Sequence, residues 1–298
     1  MLWVFLAVLS HFFWGWANIF DKYIIENKVK NPYVYVWWQW LLAILAILLI
    51  PLVGIEIVYA SSYFWLIVAT VFSFLASIFY IKALQLEEVS RIGLWWNLIP
   101  FFVLIIGWFT IGQKLSGIQF VAFLFLVSGA FVGSVHAGWK NFRLSKAIKQ
   151  MLLACITYSL FAVAYSYVVA RESFVVSYIW INIFGFFMTF FFIFSAKFRK
   201  DFTKQWKNME RSTFSLFFGA SILNHLGAFF NVWALSLGLA ALVFAMEGMQ
   251  AMFIFVFATA ISIFRPKFLK ENLDKKNIIL KLVALVFMVI GIIILNLG

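Results

Sequence analysis

Long, uninterrupted apolar runs constrain this chain more than any other feature of its sequence. A helix needs roughly 20 apolar residues to cross the hydrocarbon core of a bilayer. Ten runs of about that length follow one another with short connections, at 2–20, 33–53, 62–82, 92–111, 118–138, 149–169, 174–196, 213–235, 239–263 and 278–297. Because the runs are continuous and not alternating, they are not the strands of a transmembrane barrel. We therefore predict an all-α polytopic membrane protein with ten transmembrane helices.

Composition agrees with this class. The chain is 65% hydrophobic and 11% charged, with a mean hydropathy of +1.03, so a soluble domain of this length would expose too much apolar surface. Cys155 is the one cysteine, which excludes an intrachain disulfide and suggests a packing role. The first run has no basic segment before it and continues into Asp21 and Lys22, so we interpret it as a spanning helix and not a cleaved signal.

Basic residues collect on one side of a ten-helix arrangement. Those on this side are Lys22, Lys28, Lys30, Lys82, Arg91, Lys140, Arg143, Lys146, Lys149, Lys197, Arg199, Lys200, Lys204, Lys207, Arg211, Arg265, Lys267, Lys270, Lys275, Lys276 and Lys281. The other side keeps Lys114 and Arg171. Because basic loops stay in the cytoplasm, we expect both termini outside the cell (inner or plasma) membrane. Solvated loops near anionic lipid headgroups explain the net charge of +12, and no nucleic-acid partner is predicted.

Two internal similarities divide the chain into halves. ALQLEEVSRIGLWWNLIPFFVLIIG (83–107) aligns without gaps with ALSLGLAALVFAMEGMQAMFIFVFA (234–258). LAVLSHFFWGWANIF (6–20) aligns more weakly with LACITYSLFAVAYSY (153–167). We predict one five-helix repeat over 1–138 and another over 139–298. Since five is odd, the second repeat enters the membrane in the opposite sense, an arrangement typical of secondary transporters that work by alternating access. Duplication without transport is the alternative.

Several elements of the first predicted repeat form a pattern: Ala83-Leu84 at the end of helix 3, Pro100 in helix 4, Lys114-Leu115 in a tight turn, Gly117 and Gly129 in helix 5, and the opening LSHFFWGWANIFDKY (9–23). In these elements the sequence resembles a known family, the EamA-type drug/metabolite transporters. The resemblance implies a ten-helix inverted-repeat carrier for small metabolites with a central cavity. Two features depart from the family: Gln113 stands where a glutamate is usual, and the charge bias puts the termini opposite to the usual drawing.

Polar residues inside the apolar runs are the candidate site. Glu247 lies about nine residues into predicted helix 9, and Gln250 shares its face. An intramembrane acid is costly, so we expect Glu247 to face a cavity, to be protonated part of the time and to take part in proton coupling. His11, Trp14 and Asn18 form one stripe of helix 1, where His11 could share the proton work. Hydrogen bonding between helices, with no transport role, is the alternative for each of these residues.

Further polar and aromatic residues are expected along the same path. Helix 8 carries Asn224, His225 and Asn231, and helix 4 carries Asn97. The predicted substrate and coupling residues are therefore Glu247, His11, Trp14, Asn18, Asn97, Asn224, His225, Asn231 and Gln250. Trp14, Trp95 and Trp96 are the tryptophans expected at a cavity wall, although an interfacial position is common for a pair near a helix end.

Motifs of the main enzyme classes are missing from the sequence. It contains no H-E-x-x-H, no G-x-S-x-G and no glycine-rich phosphate loop, so we predict no catalytic residues, no metal and no cofactor. We predict a secondary transporter of a small organic metabolite, either proton-coupled or an exchanger. A lipid or lipid-linked carrier translocase on the same fold, and a non-transporting membrane scaffold or receptor, are the alternatives. Substrate identity, direction of transport, coupling ion and oligomeric state do not follow from the sequence.

Overall fold

A computed structural model describes residues 2–87, 89–134, 146–207, 209–264 and 275–297, and every regular element among them is helical. The helices are α1 Leu2–Asn27, α2 Pro32–Leu42, α3 Ile50–Val53, α4 Ala60–Leu84, α5 Val89–Trp95, α6 Ile99–Ile111, α7 Gly117–Ser134, α8 Ile148–Val169, α9 Phe174–Met188, α10 Phe190–Ile193, α11 Ala196–Lys207, α12 Arg211–Leu237, α13 Ala240–Ala245, α14 Glu247–Phe264 and α15 Lys275–Leu297. Two 3-10 helices, Ala43–Leu49 and Trp96–Leu98, join α2 to α3 and α5 to α6.

Seven segments in this described part of the chain are long and apolar enough to cross a membrane. They are Leu2–Asn27, Pro32–Val53, Ala60–Leu84, Ile148–Val169, Phe174–Ile193, Arg211–Leu237 and Ala240–Ile261. Shorter apolar helices at Trp96–Ile111, Gly117–Gly129 and Leu282–Ile294 fall where the fourth, fifth and tenth spans are predicted. The structure is therefore that of a polytopic membrane protein, while the count of ten spans stays a prediction.

Proline explains where two of the spans loosen into 3-10 turns. Each 3-10 helix ends just before a proline, Pro51 in one case and Pro100 in the other. A proline has no N–H to give to the carbonyl four residues earlier, and its ring crowds that carbonyl. The N–H of Ile99 accordingly bonds to the carbonyl of Trp96, three residues back. The carbonyl of Trp95, the cap residue of this 3-10 helix, also lies 3.0 Å from the thiol of Cys155 on α8.

Three helix pairs form the main packing of the bundle: α1 against α12, α4 against α8, and α7 against α15. Small residues let the last pair approach closely. A Cβ on Gly129 of α7 would lie 2.9 Å from the carbonyl oxygen of Ala284, and a Cβ on Gly291 of α15 would lie 2.8 Å from Leu126. Close backbone approach at small residues is a common way to hold helices together in lipid.

The first helix is longer than the sequence predicted. It was expected to end at residue 20, with Lys22 in a cationic loop, but α1 continues to Asn27 and Lys22 is buried. The ammonium of Lys22 donates to the backbone oxygens of Leu84 (2.7 Å) and Glu87 (2.8 Å) at the end of α4. It also pairs with Glu26 at 2.6 Å. A cation at the last carbonyls of a helix is favourable, which explains how a lysine is held there.

A helix also replaces part of the loop expected after the seventh span. In α11 the apolar side chains recur every fourth residue, at Phe198, Phe202 and Trp206, and successive rings along this row stack on one another. Trp37 and Trp38 of α2 pack against the same row. The opposite face carries lysines and an arginine, so α11 is an amphipathic helix of the kind that lies at a membrane surface.

Basic segments that are distant in sequence meet at this end of the bundle. Lys28 and Lys30, after α1, line the same surface cleft as Lys197 and Lys204 of α11. Lys28 bonds to Glu210 at 3.0 Å. This hydrogen bond holds the pKa of Glu210 below its ordinary value and raises the pKa of Lys28. Arg91, Lys140, Arg143, Arg265, Lys267, Lys270, Lys276 and Lys281 carry side chains outside the described part of the structure.

We predict that Gly129→Ala lowers the stability of the bundle by about 1–3 kcal/mol, because the added methyl group overpacks the contact with α15. Thermal unfolding of the purified protein in detergent measures the change. Gly219→Ala on α12 is the matched control, since no atom lies within 4 Å of its added Cβ. Equal midpoints for the two variants would contradict the close packing of α7 on α15.

A polar cavity between the helices as candidate functional site

A cavity of about 190 Å³ lies among the membrane helices. Its lining comes from both halves of the chain: α1, α2, α4 and the α5–α6 junction from the first half, and α8, α9, α12 and α14 from the second. The lining residues are Trp14, Asn18, Asp21, Gln39, Trp40, Ser73, Ala76, Ser77, Tyr80, Trp96, Ile99, Tyr158, Asn182, Ser221, Asn224, His225, Ala228, Glu247 and Gln250. Acids, amides, hydroxyls and aromatic rings dominate this wall.

Glu247 reaches the cavity from the point where the ninth span is interrupted. The span is not one continuous helix, because α13 ends at Ala245 and α14 begins at Glu247 itself. Met246, between them, makes a tight turn in which its N–H bonds to the carbonyl of Val243. Glu247 is only 4% exposed. An acid at the first residue of a helix is placed favourably against the helix dipole.

His11 lies behind Glu247 and does not line the cavity. Its ring is fully buried, with Nδ1 3.3 Å from Oε1 of Gln250 and 3.8 Å from Oε2 of Glu247. Because an amide oxygen can only accept a hydrogen bond, Nδ1 of His11 carries the proton and donates it to Gln250. In the structure Glu247 and Gln250 line the cavity, and His11 contacts both of them, while the proton-coupling role expected of His11 and Glu247 stays a prediction.

Asp21 is a second buried acid in the lining, and the sequence analysis did not select it. It is 1% exposed. One carboxylate oxygen accepts a hydrogen bond from the hydroxyl of Tyr35 on α2, and the other lies 3.4 Å from the amide nitrogen of Asn224 on α12. Next to it, the hydroxyl of Tyr80 on α4 donates to Asn18 at 2.6 Å. Through these contacts α1 is tied to α2, α4 and α12 beside the cavity.

Aromatic rings form a continuous row along another part of the wall. Tyr80 lies 5.3 Å from Trp96, Trp96 lies 5.8 Å from Tyr158, and Tyr158 lies 6.4 Å from Trp14, all between ring centroids. These separations are typical of interacting aromatic pairs. The indole N–H of Trp14 points to the backbone oxygen of Asn224 at 3.3 Å, which fixes that ring against α12.

Six of the nine predicted site residues line the cavity: Trp14, Asn18, Asn224, His225, Glu247 and Gln250. His11, Asn97 and Asn231 are buried but lie outside the lining. Trp96 reaches the cavity as expected, whereas Trp95 does not.

The prediction did not include Asp21 because it ended the first span at residue 20, although α1 continues to Asn27. Tyr35 was not predicted because a tyrosine near a helix end is typical of the membrane interface. The Asp21-Lys22 pair is a signal that could have been followed: an acid and a base directly after an apolar run can still be helical and buried when both find partners.

Gln113, the departure from the family pattern, has a clear structural role. It follows Gly112, which adopts the left-handed conformation (φ 64°) that ends α6. With its amide oxygen turned toward α13, Gln113 accepts hydrogen bonds from the N–H groups of Ala240 and Ala241, 3.1 Å each. The turn after α6 thus caps α13, the short helix that precedes Glu247. An amide oxygen and a carboxylate can both accept these bonds.

The fold and the cavity describe a polytopic membrane protein with a polar chamber of the kind that transporters use. Residues 1–135 match the EamA-like transporter family, which confirms the resemblance over those residues.

A solved crystal structure superposes with a TM-score of 0.68 over 98% of this chain and 95% of the other, at 15% sequence identity. At that identity the likeness concerns the fold alone. No curated protein matches the sequence.

We predict that Tyr35→Phe destabilises the protein by about 1–3 kcal/mol, because it removes a hydrogen bond from the buried Asp21 carboxyl. The thermal unfolding midpoint in detergent is the measurement. Tyr59→Phe removes the same hydroxyl from a side chain that is 72% exposed, and it should leave the midpoint unchanged. A Tyr35→Phe variant as stable as wild type would show that the hydroxyl does not stabilise the acid.

Proposed function

We propose that this protein is a secondary transporter that moves a small organic metabolite across the cell membrane by alternating access. The observation that supports this most is the cavity itself, which carries two acids, lies between the spans and is lined by both halves of the chain. A site at the interface of two repeats is where secondary transporters bind their substrates. The absence of a nucleotide-binding motif in the sequence favours transport driven by a gradient or by exchange.

The packing supports an inverted repeat with halves at 1–138 and 139–298. If the halves are equivalent, α1 corresponds to α8 and α4 corresponds to α12. The contact of α1 with α12 then has its counterpart in the contact of α8 with α4, and both are among the main packings of the bundle. By the same equivalence α7 corresponds to α15, so the contact between these two helices is its own counterpart. This is the pattern expected of a pseudo-twofold arrangement.

The interruptions of the fourth and ninth spans support the same repeat. In the alignment of 83–107 with 234–258, Trp95 and Trp96 fall opposite Met246 and Glu247. α5 ends at Trp95, and α13 and α14 are separated by Met246, so both spans are interrupted at equivalent positions. Broken helices at corresponding places in two inverted halves are the usual location of a transporter's binding site.

Glu247 is our candidate for the coupling acid. Removing a carboxylate from water is costly unless a proton or a cation accompanies it. His11 on α1 lies 3.8 Å from Glu247, and the other ionisable side chains among the described lining residues are Asp21, Tyr80, Tyr158 and His225. A carboxyl that gains and loses a proton as the cavity opens to one side and then the other would link proton movement to substrate movement.

Proton flux into proteoliposomes loaded with a pH dye tests this role while a metabolite library is offered. We expect a substrate-dependent signal in wild type that falls at least about tenfold in Glu247→Gln, which keeps the shape of the side chain but cannot ionise. Glu56→Gln, at an exposed loop position, is the control that also removes one negative charge and should behave as wild type. A signal that survives in Glu247→Gln would move coupling to His11 or His225, and no signal in folded protein would contradict proton-coupled transport.

The distribution of charge supports an orientation with both termini outside. The lysines of the α1–α2 connection and of α11 lie at one end of the bundle, where cytoplasmic loops are expected. At the other end the connection between α3 and α4 lies beside Glu172, whose carboxylate accepts a hydrogen bond from the N–H of Tyr59.

Cysteine labelling in right-side-out vesicles tests this orientation, with the native Cys155 buried as background. We predict that Lys204→Cys reacts with a membrane-impermeant maleimide only after lysis, whereas Ile57→Cys reacts in intact vesicles. The reverse pattern would place the termini in the cytoplasm, as the family is usually drawn.

A further inference from the structure

The charge of the cavity is opposite in sign to the charge of the protein. The chain has a formal net charge of +12. Among the described residues that line the cavity, however, the formally charged side chains are Asp21 and Glu247, and no lysine or arginine is present. A chamber lined by two acids, with His225 but no lysine or arginine among its described lining residues, is suited to a positively charged guest.

The two acids differ in what holds them. Both oxygens of Asp21 have partners, in the hydroxyl of Tyr35 and the amide of Asn224. For Glu247 the described residues offer one ion-pair partner, His11, whose Nδ1 is 3.8 Å away. That nitrogen lies closer to Gln250, at 3.3 Å, so the histidine is positioned by the amide and not by the acid. The carboxyl group of Glu247 is thus the group in the lining with capacity for a cation.

Aromatic side chains line the same cavity as Glu247. Tyr158 is one of them, and its ring contacts the rings of Trp14 and Trp96, at 6.4 Å and 5.8 Å between centroids. The faces of tryptophan and tyrosine rings attract cations, most strongly where water is excluded. A carboxylate beside several such rings is a combination that selects an organic ammonium group over a neutral or anionic molecule.

We propose that the substrate is a small organic cation, with its ammonium group paired with Glu247 and its apolar part against Trp14, Trp96 and Tyr158. This inference rests on the proposed transport function and adds the substrate class. The cavity volume of about 190 Å³ limits the guest to a small molecule, such as an amine or quaternary ammonium compound with one ring.

Equilibrium binding to the purified protein tests the class without requiring transport. The probe is radiolabelled phenyltrimethylammonium, measured by scintillation proximity in detergent. Unlabelled tert-butylbenzene has the same shape with carbon in place of the charged nitrogen, and benzenesulfonate has the same ring with a negative charge. We expect saturable binding of the probe, displacement by its unlabelled form, and no displacement by the other two compounds at tenfold higher concentration.

Variants locate the binding in the cavity. Glu247→Gln should weaken binding at least about tenfold, as expected for losing a charged partner, while Glu56→Gln should not change it. Tyr158→Leu should weaken binding about three- to tenfold, and Tyr158→Phe, which keeps the ring, should stay close to wild type. Each variant is first shown to be monodisperse by size exclusion, and the comparison of the three compounds on wild type stands without any variant.

The outcomes separate the two proposals. Glu247-dependent binding of the cation without any proton flux would support the cation class and contradict coupled transport. Proton flux driven by neutral or anionic metabolites, or equal displacement by all three compounds, would overturn the cation class and leave transport in place. A probe that binds equally well to wild type and Glu247→Gln would also overturn it.

Discussion

Every backbone oxygen in a membrane helix needs a donor from the protein, and the rest of this structure is arranged around the places where the helix itself cannot supply one. Pro100 takes a donor away from the fourth span. The carbonyl of Trp95 accepts a hydrogen bond from the thiol of Cys155 at 3.0 Å, whereas the hydroxyl of Ser159 donates within α8 to the carbonyl of Cys155 at 2.7 Å. The interruption that brings Trp96 to the cavity is therefore stabilised by a hydrogen bond from α8.

Other polar side chains form hydrogen bonds within their own helix and so do not link two helices. Thr70, Thr157 and Ser166 each donate to a carbonyl four residues earlier at 2.7 Å, which satisfies the hydroxyl without a second helix. The carboxylates of Asp21 and Glu247 have no proton to donate and cannot be satisfied in this way. They depend on partners from other helices or on whatever enters the cavity, which is why the cavity contains them and the lipid-facing surface does not.

The sequence was sufficient for the class of protein, for most of the spans and for six of the cavity residues, because apolar length and buried polarity are local signals. Three features were not local. The end of α1 depends on carbonyls of α4 that receive Lys22, more than sixty residues away. The interruption at Met246 has no proline to mark it. The sequence analysis did not predict α11, because its aromatic row is short and its lysines resemble those of an ordinary loop.

The hydrogen bonds between Gln113 and α13 give the turn at Gly112 an influence on the opposite half of the protein. The N-terminus of α13 cannot shift without either breaking two hydrogen bonds or pulling that turn along, and Glu247 follows α13 by a single residue. A displacement of the Gly112 turn would therefore be passed through Gln113 and α13 to Glu247. These hydrogen bonds need no charge on Gln113, so an amide at this position holds α13 as a carboxylate would, and it does so independently of pH.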